Sequence, residues 1–326
     1  MVENGAGINV PLPPGRKRAP GHAGGETMSA TLKGLSRELP VLIAGPTAAG
    51  KSAVALELAL REGREVVNAD ALQVYANWRV LTARPTQAEE EAAPHRLYGH
   101  VGREEPYSVG HWLRELAPIL EAARAEGRPA PVIVGGTGLY LTALTEGLAE
   151  IPEVPSGIRA ESEARLAAEG VEALIAELDA ETAARIDLAN PVRVQRAWEV
   201  LRATGRGLAA WQAQTPPPLV PLAQAQAFVI EAPRDWLNAR IERRFDAMMA
   251  MGALEEARAN LEGWNPSLPS SKAIGAAELI AHLQGRMSLA EATEAAKTAT
   301  RQYAKRQRSW FRSRMKAWVP IPPQGL

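Results

Sequence analysis

Val41-Leu42-Ile43-Ala44-Gly45-Pro46-Thr47-Ala48-Ala49-Gly50-Lys51-Ser52 decides the fold class of this 326-residue chain. Four apolar residues read as a short buried strand. Gly45 to Ser52 then fits the phosphate-loop pattern G-x-x-x-x-G-K-[ST] without a gap, and Ala53 to Leu60 continues as helix. Gly45 and Gly50 let the backbone wrap an anion, with amide N–H groups and a helix N-terminus directed at its oxygens. Lys51 adds a fixed positive charge, and the Ser52 hydroxyl is placed to hold a Mg²⁺ ion. These eight residues are expected to bind phosphate. They leave the reaction open.

The length predicts about two domains. With 46% hydrophobic and 23% charged residues, and no apolar run near membrane-spanning length, the composition is that of a soluble globular protein. The absence of cysteine excludes disulfide frameworks, zinc-thiolate sites and thiol catalysis. No signal-type apolar segment opens the chain, so a cytoplasmic location is expected. The 37 basic and 37 acidic residues balance overall, but not locally. From Lys297 onward there is no Asp or Glu, whereas Arg301, Lys305, Arg306, Arg308, Arg312, Arg314 and Lys316 follow. A segregated basic end on a neutral chain points to a polyanion partner.

Residues 1–33, rich in Gly and Pro and carrying Arg16-Lys17-Arg18, are expected to form a disordered tail, with Met28 a candidate start. An α/β core is expected over 34–150 and again over 226–326, interrupted by an all-helical insertion at 151–225. Glu65 to Asp70 reads as a second strand ending in a carboxylate, at the sheet edge where α/β proteins place ligands. Residues 78–110 look irregular, and His95, His100 and His111 lack metal-ligand spacing. Pro131 to Val134 reads as a third strand. It runs into Gly135-Gly136-Thr137-Gly138, which can bring backbone and the Thr137 hydroxyl to the same ligand. Gly157 to Trp211 reads as helical throughout, with Arg193 and Arg196 facing away from the stripe Val194, Ala197, Trp198 and Leu201.

After a fourth strand at Ala227 to Ile230, one long helix is expected over Arg234 to Leu261, placing Arg240 and Arg244 one turn apart and within reach of an anion. The last helix opens on the capping box Ser288-x-x-Glu291. At about 100° per residue, Ala292, Ala296, Ala299, Tyr303 and Trp310 share an inner face, and Arg301, Lys305, Arg308 and Arg312 form an outer ridge.

Three kinds of protein use such parts: a small-metabolite kinase, a non-catalytic RNA-binding NTPase module, and a transferase that acts on RNA and releases diphosphate. The third uses all of them. The loop takes the diphosphate, Asp70 takes a proton, and the basic surfaces hold the polyanion. No N-K-x-D guanine-reading motif is present.

From about Pro40 to Trp318 the chain resembles the tRNA dimethylallyltransferases, also called tRNA isopentenylpyrophosphate transferases. The resemblance rests on Gly45 to Ser52, Asp70-Ala71-Leu72-Gln73-Val74-Tyr75, Val134 to Tyr140, Arg193 to Val200, and above all Arg301 to Arg312. It implies a P-loop NTPase-like parallel sheet with an inserted helical tRNA-binding domain. The implied reaction moves a dimethylallyl group from its diphosphate to the exocyclic amine of the adenosine just 3′ of the tRNA anticodon. Thr47 and Lys51 in the diphosphate-binding loop Gly45 to Ser52 then become catalytic, with Mg²⁺ as cofactor on Ser52. Asp70 becomes the general base, within a segment Asp70, Ala71, Leu72 and Gln73 that meets the target base. Thr137 is implied to contact the target nucleotide. Further tRNA contacts fall to Arg159, to Val192, Arg193, Val194, Gln195 and Arg196, and to Lys272 and the turn after it. The last group is Lys305, Arg306, Gln307, Arg308, Ser309, Trp310, Phe311 and Arg312. The partners implied are the anticodon stem-loop of tRNA and dimethylallyl diphosphate, for a nucleotide-binding cytoplasmic monomer. The chain departs from the common family pattern at Ala71, where serine is frequent, at Arg79-Val80-Leu81-Thr82-Ala83-Arg84-Pro85, and at Gly275-Ala276-Ala277.

Overall fold

All four side chains of Val41–Ala44 (β1) are buried, as a parallel strand covered on both faces requires. The computed structural model describes residues 32–323. After β1 come Lys51–Glu62 (α1), Val66–Asn68 (β2), Gln87–Ala92 (α2), His95–Arg96 (β3), Val109–Ala125 (α3), Val132–Gly135 (β4) and Gly138–Glu146 (α4). Five helices follow: Ser156–Glu169 (α5), Val171–Ile175 (α6), Ala180–Arg185 (α7), Pro191–Thr204 (α8) and Leu208–Gln212 (α9). The core resumes with Gln226–Ile230 (β5), Arg234–Ala250 (α10), Ala253–Ala259 (α11), Ala276–Leu283 (α12), Leu289–Arg314 (α13) and Val319–Ile321 (β6).

The strands form one parallel sheet of order β3-β2-β4-β1-β5-β6. Alternation along β1 sends Val41 and Ile43 into one core layer with α1 and α10, and Leu42 and Ala44 into the other with α3 and α4. A third core of Trp78, Phe245, Met248 and Ala276 is built around α10, α11, α12 and the first half of α13. The inserted helices have their own small core, centred on Leu174, Val194 and Trp198. Among the described residues no helix is long and apolar enough to cross a membrane.

Several expectations change. β3, two residues long, and the short helix α2 lie within 78–110, which reads as irregular, and β6, three residues long, follows the last helix where no strand was expected. The helix expected over Arg234 to Leu261 is two helices, because Gly252 adopts a left-handed backbone (φ +98°) that ends one and starts the other. The continuous helical region is likewise cut into five, by Gly170, Asp179, Asn190 and Gly207 at helix N-caps. The tail expected over 1–33 lies outside the described residues up to residue 31. Leu32 belongs to the folded part, buried against α1, whose Arg61 donates to its carbonyl. The three histidines carry hydrogen bonds, to the Ala93 carbonyl, to Glu115 and within the Ser108 capping box.

Candidate active site

The phosphate loop joins the carboxyl end of β1 to α1, and two left-handed residues set its path. Ala48 has φ +62°, and Gly50, the N-cap of α1, has φ +96°. A non-glycine residue in that region carries a cost of about 1–3 kcal/mol, which the surrounding loop must offset. Lys51 curls over the loop and donates to the Pro46 carbonyl at 2.9 Å. Desolvation lowers its ammonium to about 8, with the charge of Asp70 opposing that shift and Arg244 adding to it.

Asp70 lies two residues past β2, beside the loop. Its backbone is clamped by Asn68, which is 0% exposed. Asn68 Oδ1 accepts from the Asp70 N–H at 2.8 Å, and its Nδ2 donates to the Asp70 and Leu97 carbonyls, both at 2.9 Å. Buried Trp112 donates to the Asn68 carbonyl at 2.6 Å. Asp70 Oδ1 accepts from Leu72 N–H at 3.0 Å, so one carboxylate oxygen holds the turn. The other faces the Gly136 side of the site, 3.3 Å from where a side-chain carbon on that glycine would sit.

Thr137 was expected against the target nucleotide. Its hydroxyl oxygen accepts from the Ala71 N–H at 2.9 Å, which fixes the segment carrying Asp70. Gly135 and Gly136 line the cleft, and the run also allows close packing. A Cβ on Gly136 would meet Gln307 Nε2 at 2.5 Å, and one on Gly138 would strike the Trp310 ring at 2.3 Å. Only glycine lets α13 close on this turn.

Loop and carboxylate open into one cleft of about 980 Å³, at the carboxyl ends of β1, β2 and β4. Arg79, Arg84, Arg240, Arg243 and Arg244 line it along with Lys51, whereas Asp70 and Glu89 are its carboxylates. This is an anion-attracting interior. Arg244 donates to Thr47 Oγ1 at 3.2 Å, which brings the α10 arginine to the loop as its spacing allowed. Burial pulls its guanidinium below the usual range, with Asp70 acting the other way. Tyr98 and Tyr303 also face the cleft, and burial together with the Asp70 charge pushes both phenols up.

The role least visible in the sequence belongs to Gln307. It was expected on the tRNA side of α13, yet it is 6% exposed. Its Oε1 accepts from the Thr47 N–H at 2.8 Å and its Nε2 donates to the Gly136 carbonyl at 2.9 Å. One side chain thus ties the phosphate loop to the turn after β4. Gln307→Leu would strand both backbone groups, and a loss of about 1–3 kcal/mol for each unsatisfied group is expected. Urea unfolding, together with titration of inorganic diphosphate, would register that loss. Unchanged stability and unchanged diphosphate affinity would contradict this role.

Other expected contacts are placed as follows. Phe311 is buried at 4% exposure in the core beside Met315 and Trp318, and Val194 is buried among the inserted helices. Neither side chain offers a polyanion surface. Lys297, which opens the acid-free segment, is also buried and paired with Asp246 at 2.7 Å. Gln195 bonds Ser162 within the helical unit, and Arg196 lies 3.7 Å from Glu199. Arg159, Arg193 and Val192 are exposed on that unit, Val192 at 73%. Lys305, Arg306, Ser309 and Arg312 are exposed along α13, with Arg308 and Trp310 half-buried beside them. Lys272 is exposed and donates to the Pro266 carbonyl. The inner face of α13 is Ala292, Ala296, Ala304, Gln307 and Phe311, about one position on from the expected stripe at its C-terminal end.

Comparison with known proteins agrees with this architecture. A family model described as IPP transferase matches residues 73–314, and one described as isopentenyl transferase matches residues 40–101. A Cereibacter sphaeroides protein (strain ATCC 17029 / ATH 2.4.9) named tRNA dimethylallyltransferase is 65% identical over 290 residues, covering 89% of this chain and 91% of that protein. One of the same name from Dinoroseobacter shibae is 60% identical, covering 90% and 97%. The crystal structure of the full-length tRNA isopentenylpyrophosphate transferase from Bacillus halodurans is 32% identical with a TM-score of 0.63, covering 87% of this chain and 90% of that one. A eukaryotic dimethylallyltransferase solved acting on tRNA is 25% identical with a TM-score of 0.73, covering 88% and 74%. With a parallel sheet, a phosphate loop and these relatives in agreement, the chain belongs to the IPP transferase family.

Proposed function

We propose that this protein is a tRNA dimethylallyltransferase, joining the dimethylallyl group of dimethylallyl diphosphate to the exocyclic amine of the adenosine 3′-adjacent to the anticodon. The observation that carries the reading is that Asp70 and the phosphate loop open into one cationic cleft beneath the basic helix α13. An adenine amine is a weak nucleophile, since its lone pair is delocalised into the ring. Transfer therefore needs a good leaving group and a base at hand. The C1–O bond breaks with its electron pair going to the diphosphate, the N–C1 bond forms, and the amine proton passes to Asp70. Loop amides, Lys51 and Arg244 stabilise the charge that builds on the leaving oxygens.

Among the described residues no three carboxylates, imidazoles or thiols gather into a metal site. The donor set suits Mg²⁺ nevertheless, because this ion is commonly held by one or two protein oxygens plus ligand phosphates and water. Ser52, at the start of α1 and lining the cleft, is the residue that would hold it. The ion would add positive charge at the diphosphate. Target adenosine leaves its stack to reach Asp70, while Lys305, Arg306, Arg308 and Arg312 hold phosphates of the anticodon arm.

Digesting unmodified tRNA after incubation with protein, Mg²⁺ and dimethylallyl diphosphate tests the assignment of the atom. Mass spectrometry is expected to show one adenosine, next to the anticodon, heavier by a C₅H₈ unit on its base. Modification at another nucleotide, or on ribose, would contradict it.

A further inference from the structure

A small recess of about 60 Å³ opens off the main cleft, with Thr47, Asp70, Arg244 and Tyr303 around its mouth. Its walls are Leu72, Leu81, Ile241, Phe245, Met248 and Ile274, joined by Thr82 and Thr300, whose hydroxyls already donate to the Trp78 and Ala296 carbonyls. An adenine buried there would leave its polar edge among mostly hydrocarbon side chains, at a cost of about 1–3 kcal/mol for each unpaired group. A short hydrocarbon suits the walls, and the mouth lies beside both the phosphate loop and the base. Phe245 and Leu81 are both buried. Gly275, at φ +94°, brings its backbone so close that a Cβ there would lie 3.0 Å from Phe245 Cε2 and 3.2 Å from Leu81 Cδ2. The ring therefore has nowhere to recede.

We infer that this recess receives the hydrocarbon of the prenyl donor, and that Phe245 with Leu81, backed by Gly275, limits the donor to a single five-carbon unit. The inference rests on the proposed function. A ten-carbon donor would undergo the same bond exchange, N–C1 for C1–O with the proton to Asp70. Its second isoprene unit, however, must displace the Phe245 ring from a packed core. One misfitting methylene changes specificity by roughly 10–200-fold, so five extra carbons are expected to be excluded almost completely.

The test compares dimethylallyl and geranyl diphosphates as donors to unmodified tRNA. Wild type should use the first and discriminate against the second. In Phe245→Ala the geranyl-to-dimethylallyl ratio of kcat/KM should rise by at least about tenfold. Should that variant fail to fold, Leu81→Ala opens the same floor and carries the same expectation. Ile274→Phe fills the recess instead. It should raise KM for dimethylallyl diphosphate by about tenfold or more while inorganic diphosphate still binds as in wild type. An active wild type whose donor ratio is unchanged by either opening substitution would overturn the inference alone. So would an Ile274→Phe effect confined to KM for tRNA, since the recess would then hold the base. No transfer from either donor by folded wild type would instead remove the function on which the inference rests.

Discussion

Replacing Asp70 with asparagine is expected to lower turnover roughly 10²–10⁴-fold, the usual worth of a positioned general base. The substitution is nearly isosteric, so the oxygen that accepts from Leu72 N–H is kept and the Asn68 clamp on the backbone is untouched. The cleft also loses a negative charge. Affinity for inorganic diphosphate should therefore hold steady or rise, because the carboxylate beside Lys51 and Arg244 repels the anion. Steady-state transfer and diphosphate titration separate the two effects. A variant that loses both would show that Asp70 supports the fold of the site, not the proton transfer. A variant that keeps wild-type turnover would discard it as the base.

Lys51→Met should cost about 10²–10³-fold in turnover, the range for removing one preorganised donor to a developing oxyanion, and weaken diphosphate binding as well. Its pH dependence is more informative. Free protein holds the Lys51 ammonium at about 8, and a bound diphosphate raises that value by adding opposite charge. Below about pH 8 the lysine is charged in both states, so affinity from this group is flat. Above about 8, binding must take up a proton, and affinity falls as pH rises toward the value in the complex. Lys51→Met should lack that fall, which isolates it from ionisation of the diphosphate itself. Calorimetry in two buffers of different ionisation enthalpy would detect the proton uptake. Equal pH dependence in wild type and Lys51→Met would contradict the assignment.

The fold was readable where a local pattern and a global requirement coincide. The four apolar residues of β1, the glycine spacing of the loop and the helical period of α1 all describe one strand–loop–helix unit. β3 and β6 were not readable. Two or three residues at a sheet edge carry no period, and only pairing with β2 and β5 makes them strands. The break at Gly252 escaped notice because apolar spacing continues across it, and a left-handed backbone is a tertiary outcome there.

The site divides in the same way. Asp70 could be proposed from its position after a strand, and Arg244 from its spacing. Gln307 could not, because a helical period assigns a face without saying that a polar side chain there will bond two loops, 260 and 171 residues away in sequence. Thr137 has a similar history. The glycine-rich turn does not disclose that the Ala71 amide donates to its hydroxyl oxygen across 66 residues. The burial of Phe311 was hidden for a simpler reason, since a cluster of basic neighbours says nothing about which way the ring among them turns.

One cleft moves a prenyl group from diphosphate to tRNA. The most direct test incubates the purified full-length protein with Mg²⁺, dimethylallyl diphosphate labelled in its hydrocarbon, and unmodified tRNA, then counts label on the tRNA after the free donor is washed away. Label is expected to rise with time to a plateau of one group per tRNA and to depend on Asp70. Folded protein that leaves several tRNAs unlabelled, while consuming ATP, would contradict that expectation and favour a phosphoryl-transfer enzyme.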